Sequence, residues 1–109
     1  MEVITPEQVH ILRDAIQLWG TAYQLSLAQE EFAELITKIS HYRRGRIEAE
    51  RVVEEMADAQ IMLWQMMEIP ALSQGVRMAI VDKLTRLEIR IDNTIRNEQK
   101  EAEEKYEKR

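Results

Sequence analysis

Apolar residues recur along most of this chain at spacings of three and four, the period of a helix with one buried face. Val9, Leu12, Ile16 and Trp19 form the first stripe, opened by Thr5-Pro6-Glu7-Gln8 and closed by Gly20. Thr5 can cap the helix, Pro6 suits its first turn, and Gln8 stands where it completes a capping box. Leu25, Ala28, Phe32, Leu35, Ile39 and Tyr42 form a second stripe, which predicts a helix over about residues 21–42 before the loop Arg43-Arg44-Gly45-Arg46. A third helix is expected over about residues 47–68. There Ala57-Asp58-Ala59-Gln60-Ile61-Met62-Leu63-Trp64 spreads apolar side chains around nearly the whole circumference. Such a helix needs cover on several sides, so it is the one expected at a subunit interface. Ile69-Pro70 should end it, with a connection to about Ser73. Val76, Ile80, Leu84, Leu87, Ile91 and Ile95 then predict a fourth helix. The polar run 97–109, with Ala102 and Tyr106 as its only apolar residues, reads as a solvated extension or frayed end.

Composition narrows this picture. With 109 residues the chain suits one small domain, and 3 Gly, 2 Pro and 1 Phe are too few breakers for a β-sandwich or barrel. The expectation is an all-α, four-helix bundle over residues 1–96, with 97–109 as a charged helix extension or tail. So short a chain buries only about two-thirds of its unfolded surface, which favours a homodimer or homotetramer built through the central helices. The net charge of -5 repels a polyanionic backbone, so nucleic acid is not an expected partner. Absence of cysteine removes disulfides, thiolate metal sites and thiol catalysis. The apolar stretch 61–67 is too short to span a membrane, and the Met1-Glu2-Val3-Ile4-Thr5-Pro6 start lacks a signal-peptide pattern; a cytoplasmic protein is expected.

Two carboxylate motifs carry the candidate chemistry: Glu30-Glu31-Phe32-Ala33-Glu34 in helix 2 and Glu55-Met56-Ala57-Asp58 in helix 3. Spacing alone is weak, since the tail holds similar pairs such as Glu101/Glu104. Context separates them. At 100° per residue Glu31 lies about 60° and Glu34 about 120° from Ala28, on the same edge of the apolar stripe, while Glu30 points away. Asp58 stands beside Ile61 and Met62, where an unpaired carboxylate would have to stay neutral, find a cation or bind a metal. Two antiparallel helices, each with two carboxylates one turn apart, can converge four oxygen donors on Mg²⁺, with Mn²⁺ as a possible substitute. Di-iron bundles need Glu-x-x-His on two helices; this chain has that spacing once, at Glu7/His10, and His41 follows Lys38, so iron is disfavoured. Lys83, Arg86 and Arg90 lie within about 60° of one another on helix 4, and Lys38, Arg43, Arg44 and Arg46 add further cations. Metal and cations together suit a polyphosphate leaving group.

Glu-Glu-x-x-Glu, twenty residues, then Glu-x-x-Asp resembles the metal-binding signature of the all-α nucleoside triphosphate pyrophosphohydrolases, specifically the single-domain MazG-like proteins. Trp19-Gly20, Gln24, Glu34-Leu35-Ile36, the run from Lys38 to Gly45, the run from Glu54 to Leu63, and Lys83-Leu84-Thr85-Arg86-Leu87 extend the likeness over about residues 15–93. The resemblance implies Mg²⁺-dependent cleavage of a nucleoside triphosphate between its α and β phosphates, giving a monophosphate and pyrophosphate. It implies that Glu31, Glu34, Glu55 and Asp58 hold the metal, with Glu34 and Glu55 in catalysis. Lys38, Lys83 and Arg86 would contact phosphates, and Gln24 with Trp19 would lie near sugar or base. His41 departs from the family, where many relatives have Lys.

Local pattern alone offers plainer readings of the same residues. The carboxylates could pair with Lys38 or the helix 4 arginines, and Lys83, Arg86 and Arg90 could be a rim beside an apolar stripe. Trp19, Trp64, Met56, Met62, Met66 and Met67 read as core, and His10 and His41 as surface. Rival functions are a phosphoribosyl-ATP pyrophosphohydrolase, a hydrolase narrow for dUTP or dCTP, and a helical scaffold without catalysis.

Overall fold

The computed structural model describes residues 4–107, which form four helices and no strand among the described residues. They are α1 (Pro6–Trp19), α2 (Thr21–Arg43), α3 (Ala49–Met66) and α4 (Pro70–Glu107). Met1, Glu2 and Val3, on which part of the signal-peptide argument rests, and residues 108–109 of the expected tail lie outside the described residues. The chain divides into two compact units, Met1–Gln74 and Gly75–Arg109.

In the first unit α1, α2 and α3 pack on one another. The capping box opens α1 as expected: the Gln8 N–H donates to Thr5 Oγ1 at 3.2 Å and the Thr5 N–H to Gln8 Oε1 at 2.9 Å. Gly20 turns the chain directly into α2 at φ 88°, a conformation that a side chain disfavours, while its N–H closes α1 on the Ile16 carbonyl. At the other end of α2, Gly45 at φ 70° makes a Schellman turn. The Arg46 N–H donates to the His41 carbonyl and the Gly45 N–H to the Tyr42 carbonyl. That turn sends α3 back along α2.

The core is thin: Leu12, Ala28, Ala59 and Met62 are its buried apolar residues, joined by the buried polar side chains Gln24, Glu55 and Gln65. Gln65 Nε2 donates to the Leu12 carbonyl at 3.3 Å and Arg13 pairs with Glu68 at 2.7 Å, linking α1 to α3 and to the turn that follows it. Helix α3 buries one face only, through Glu55, Ala59, Met62 and Gln65, and exposes Val53, Met56, Ile61 and Leu63. Trp19 and Met56, read from local pattern as core, are more than half exposed. Trp19 sits at the α1/α2 corner against Tyr23, ring centroids 6.4 Å apart, where the Gly20 turn leaves little to cover it.

Helix α4 differs from expectation at its start. Pro70 stands at its first position rather than before a longer connection, because the missing proline N–H is unneeded there, so only residues 67–69 separate α3 from α4. The polar run from Asn97 continues the helix without a break to Glu107. None of its 38 residues is buried. Among the described residues no helix is long and apolar enough to cross a membrane.

Candidate metal centre

Glu34 lies eleven residues before Gly45 and Glu55 ten after it, so the Schellman turn brings the two to the same level of the antiparallel pair. Glu31, one turn earlier on α2, joins them. Glu31, Glu34 and Glu55 each offer a carboxylate oxygen within 4.8 Å of the others. Their burial is graded: Glu55 is only 6% exposed, Glu31 is half-buried and Glu34 faces solvent. Glu31 Oε2 and Glu55 Oε1 are buried with no hydrogen-bond partner. Among the described residues the ion pair formed is Arg13–Glu68, so no cation within salt-bridge distance neutralises the three.

Electrostatics follow from that crowding. Burial is the largest cause lifting the Glu55 carboxyl above its ordinary 4.5, joined by the close approach and charge of Glu31 and by the charge of Asp58, while Glu34 acts in part the other way. Glu34 is raised chiefly by the charge of Glu55, then by desolvation, with Lys38 opposing. Both groups bind a proton more tightly folded than unfolded. Metal-free protein therefore gains stability from them as pH falls through their raised folded values toward 4.5, and loses it as pH rises back. In chelator, melting should be higher near pH 5 than near pH 7.5, and Glu55→Gln should flatten part of that slope. An unchanged slope in the variant would show that Glu55 is not strained by its neighbours.

The other sequence candidates fall into distinct places. Asp58, one turn beyond Glu55, is exposed and stands outside the group of three, although its charge reaches Glu55. Of the apolar residues flanking it, Met62 is buried and Ile61 is exposed, so apolar neighbours one turn away do not enclose it. Glu30 is exposed. Lys38 is half-buried beside Glu34, and Ala33, Glu34, Thr37 and Lys38 line an open cleft of about 440 Å³. Gln24 is buried and its Nε2 has no partner, while Trp19 is exposed. Lys83, Arg86 and Arg90 are exposed on α4. Glu7 and His10 are exposed on α1 and take no part in the carboxylate group.

Gln65 is the residue that sequence reasoning missed. It lies twenty residues after Gly45 and Gln24 twenty-one before it, so the register that aligns Glu34 with Glu55 puts the two glutamines level, about 15 Å along the helices. Gln65 Oε1 is buried and unpartnered, an acceptor opposite in kind to the free donor of Gln24. Its signal was the spacing Glu55, Ala59, Met62, Gln65, which keeps one helix face.

Three converging carboxylates, two of which carry a buried oxygen without a partner, fit a divalent cation of the Mg²⁺ or Mn²⁺ kind. Comparison of the chain with protein-family models, curated proteins and solved structures gives no match.

Proposed function

We propose that this protein is a divalent-metal-dependent nucleoside triphosphate pyrophosphohydrolase of the MazG-like kind. The observation that carries the reading is the convergence of Glu31, Glu34 and Glu55, three residues marked by sequence spacing, with two of their buried oxygens left unpartnered. Glu31, Glu34 and Glu55 would hold Mg²⁺, and Asp58 is the fourth ligand of this reading once its side chain turns inward. Bound Mg²⁺ would supply positive charge and Lewis acidity for the triphosphate oxygens.

The chain's own residues do the rest. Lys38, beside Glu34 in the open cleft, places an ammonium where a phosphate oxygen can meet it. The resemblance gives Lys83 and Arg86 the same task. Water attacks phosphorus, the α–β anhydride P–O bond breaks, and pyrophosphate leaves with the electron pair while the monophosphate keeps the water oxygen. Glu34, solvent-facing and raised in proton affinity, accepts the proton of the attacking water. Gln24, with a free Nε2 donor, and Trp19, with an open ring face, are assigned to the nucleoside. The exposed apolar residues of α3 support an assembled enzyme, a homodimer or homotetramer; the cytoplasm is its proposed location.

The test is pyrophosphate release from a panel of ribo- and deoxynucleoside triphosphates with Mg²⁺, beside Glu55→Gln, with the nucleotide product identified. Monophosphate and pyrophosphate, absent from the variant, are the expected products. Orthophosphate with a diphosphate would mean a different bond is cut. Inert nucleotides with a melting temperature indifferent to Mg²⁺ would leave a scaffold whose carboxylates do no chemistry.

A further inference from the structure

We propose that α4 pairs with α4 of a second copy of this chain, antiparallel, through the stripe Val76, Ile80, Leu84, Leu87, Ile91 and Ile95. The helix spans about 57 Å and buries none of its residues, and from Ile80 to Ile95 its stripe side chains are 43% to 59% exposed. A lone helix is marginal in water, and an apolar face along it requires cover.

The spacing of the stripe identifies the cover. Its steps are four, four, three, four and four, the same read from either end, with the midpoint between Thr85 and Arg86. A two-fold axis through that midpoint sets Val76 opposite Ile95, Ile80 opposite Ile91 and Leu84 opposite Leu87, so each of these six residues meets an apolar one. Such self-complementarity is what an isologous interface demands and what an unrelated partner does not. Leu87, Arg90, Ile91, Thr94 and Ile95 line a hollow on this face, four of them spaced as the hole of a knobs-into-holes contact. In the two-fold register Ile80 of the second copy is its knob. The stripe offers on the order of 500 Å² of apolar side chain per copy, about 1,000 Å² in all, the lower bound of a specific interface. One feature opposes the pairing: Lys83 and Arg90 flank the stripe on one side, and the axis brings them toward their counterparts. Salt screens that repulsion.

Full-length chains carrying Ile80→Cys or Ile91→Cys, in a protein with no native cysteine, read the arrangement directly. Mixed and mildly oxidised, the two variants should form a disulfide with each other and neither with itself, because antiparallel copies put like positions about 16 Å apart, beyond disulfide reach. Light scattering should show Leu87→Glu at half the mass of the unaltered protein with its helical content kept. Association should strengthen as salt rises. Self-linked Ile80→Cys and Ile91→Cys chains would establish a parallel pair instead. Unchanged mass in Leu87→Glu, a monomeric unaltered protein, or dissociation by salt would each overturn the proposal, leaving the stripe to the same chain or to another partner.

Discussion

Glu55→Gln should cut Mg²⁺-dependent pyrophosphate release by about a thousandfold or more while making the metal-free protein harder to melt. The two effects share one cause. Glu55 is buried, carries an unpartnered oxygen and sits within reach of Glu31 and Glu34, so its negative charge destabilises the fold until a cation neutralises it. Glutamine keeps the shape and removes the charge. Without metal the variant should gain roughly 5 °C or less, and the added stability that Mg²⁺ gives the unaltered protein should vanish. Loss of several kcal/mol of transition-state stabilisation accounts for a thousandfold fall in rate. Glu30→Gln, on an exposed side chain outside the group of three, should leave turnover within about twofold. Calorimetry with and without Mg²⁺, run beside the release assay, checks both halves. A variant that melts lower without metal and still responds to Mg²⁺ would mean that Glu55 is a structural partner and not a ligand.

Leu12→Ala should cost about 2–4 kcal/mol, enough to lower melting by roughly 10–20 °C in a chain of this size. Leu12 is one of four buried apolar residues among the described ones, and Ala28 and Ala59 have little bulk to fill a hole. The cavity also loosens the α1 backbone whose Leu12 carbonyl accepts from Gln65. Ile11→Ala, one residue earlier and 65% exposed, should change stability by less than about 0.5 kcal/mol. Equal losses in the two variants, measured by chemical denaturation, would show that the described packing of α1 is wrong.

Local chemistry made much of the fold legible in the sequence. Thr5, Pro6 and Gln8 start α1 because a cap, a fixed φ and a returning amide act within four residues of one another. Gly20 and Gly45 mark the two turns of the first unit because positive φ is a backbone requirement that side chains rarely meet. The boundaries of α2 follow from them. The start of α4 was less legible, since Pro70 both ends one helix and suits the first position of the next, and either use satisfies the dipeptide Ile69-Pro70.

Burial was the weaker inference. Apolar stripes gave the helices their period, yet on α2 and α3 the covered positions include Gln24, Glu55 and Gln65, while Ile36, Val53, Met56 and Leu63 stay exposed. Periodicity states which residues share a face and leaves open which face a partner covers. Asp58 shows the same limit: of its two apolar neighbours Met62 lies in the core and Ile61 is exposed, so nearness in sequence to the covered face did not bury the carboxylate.

The sequence by itself therefore determined four helices, the turns between the first three, and the carboxylates at Glu31, Glu34 and Glu55 with the spacing that lets two helices present them together. These depend on capping, φ preference and the 3.6-residue repeat, all local. Tertiary structure alone decided that Glu55 is buried, that two carboxylate oxygens are left without partners, that Asp58 stands outside the group, and that Gln65 ties α3 to α1. Those depend on which helix lies over which, a long-range choice made by the thin core around Leu12, Ala28, Ala59 and Met62.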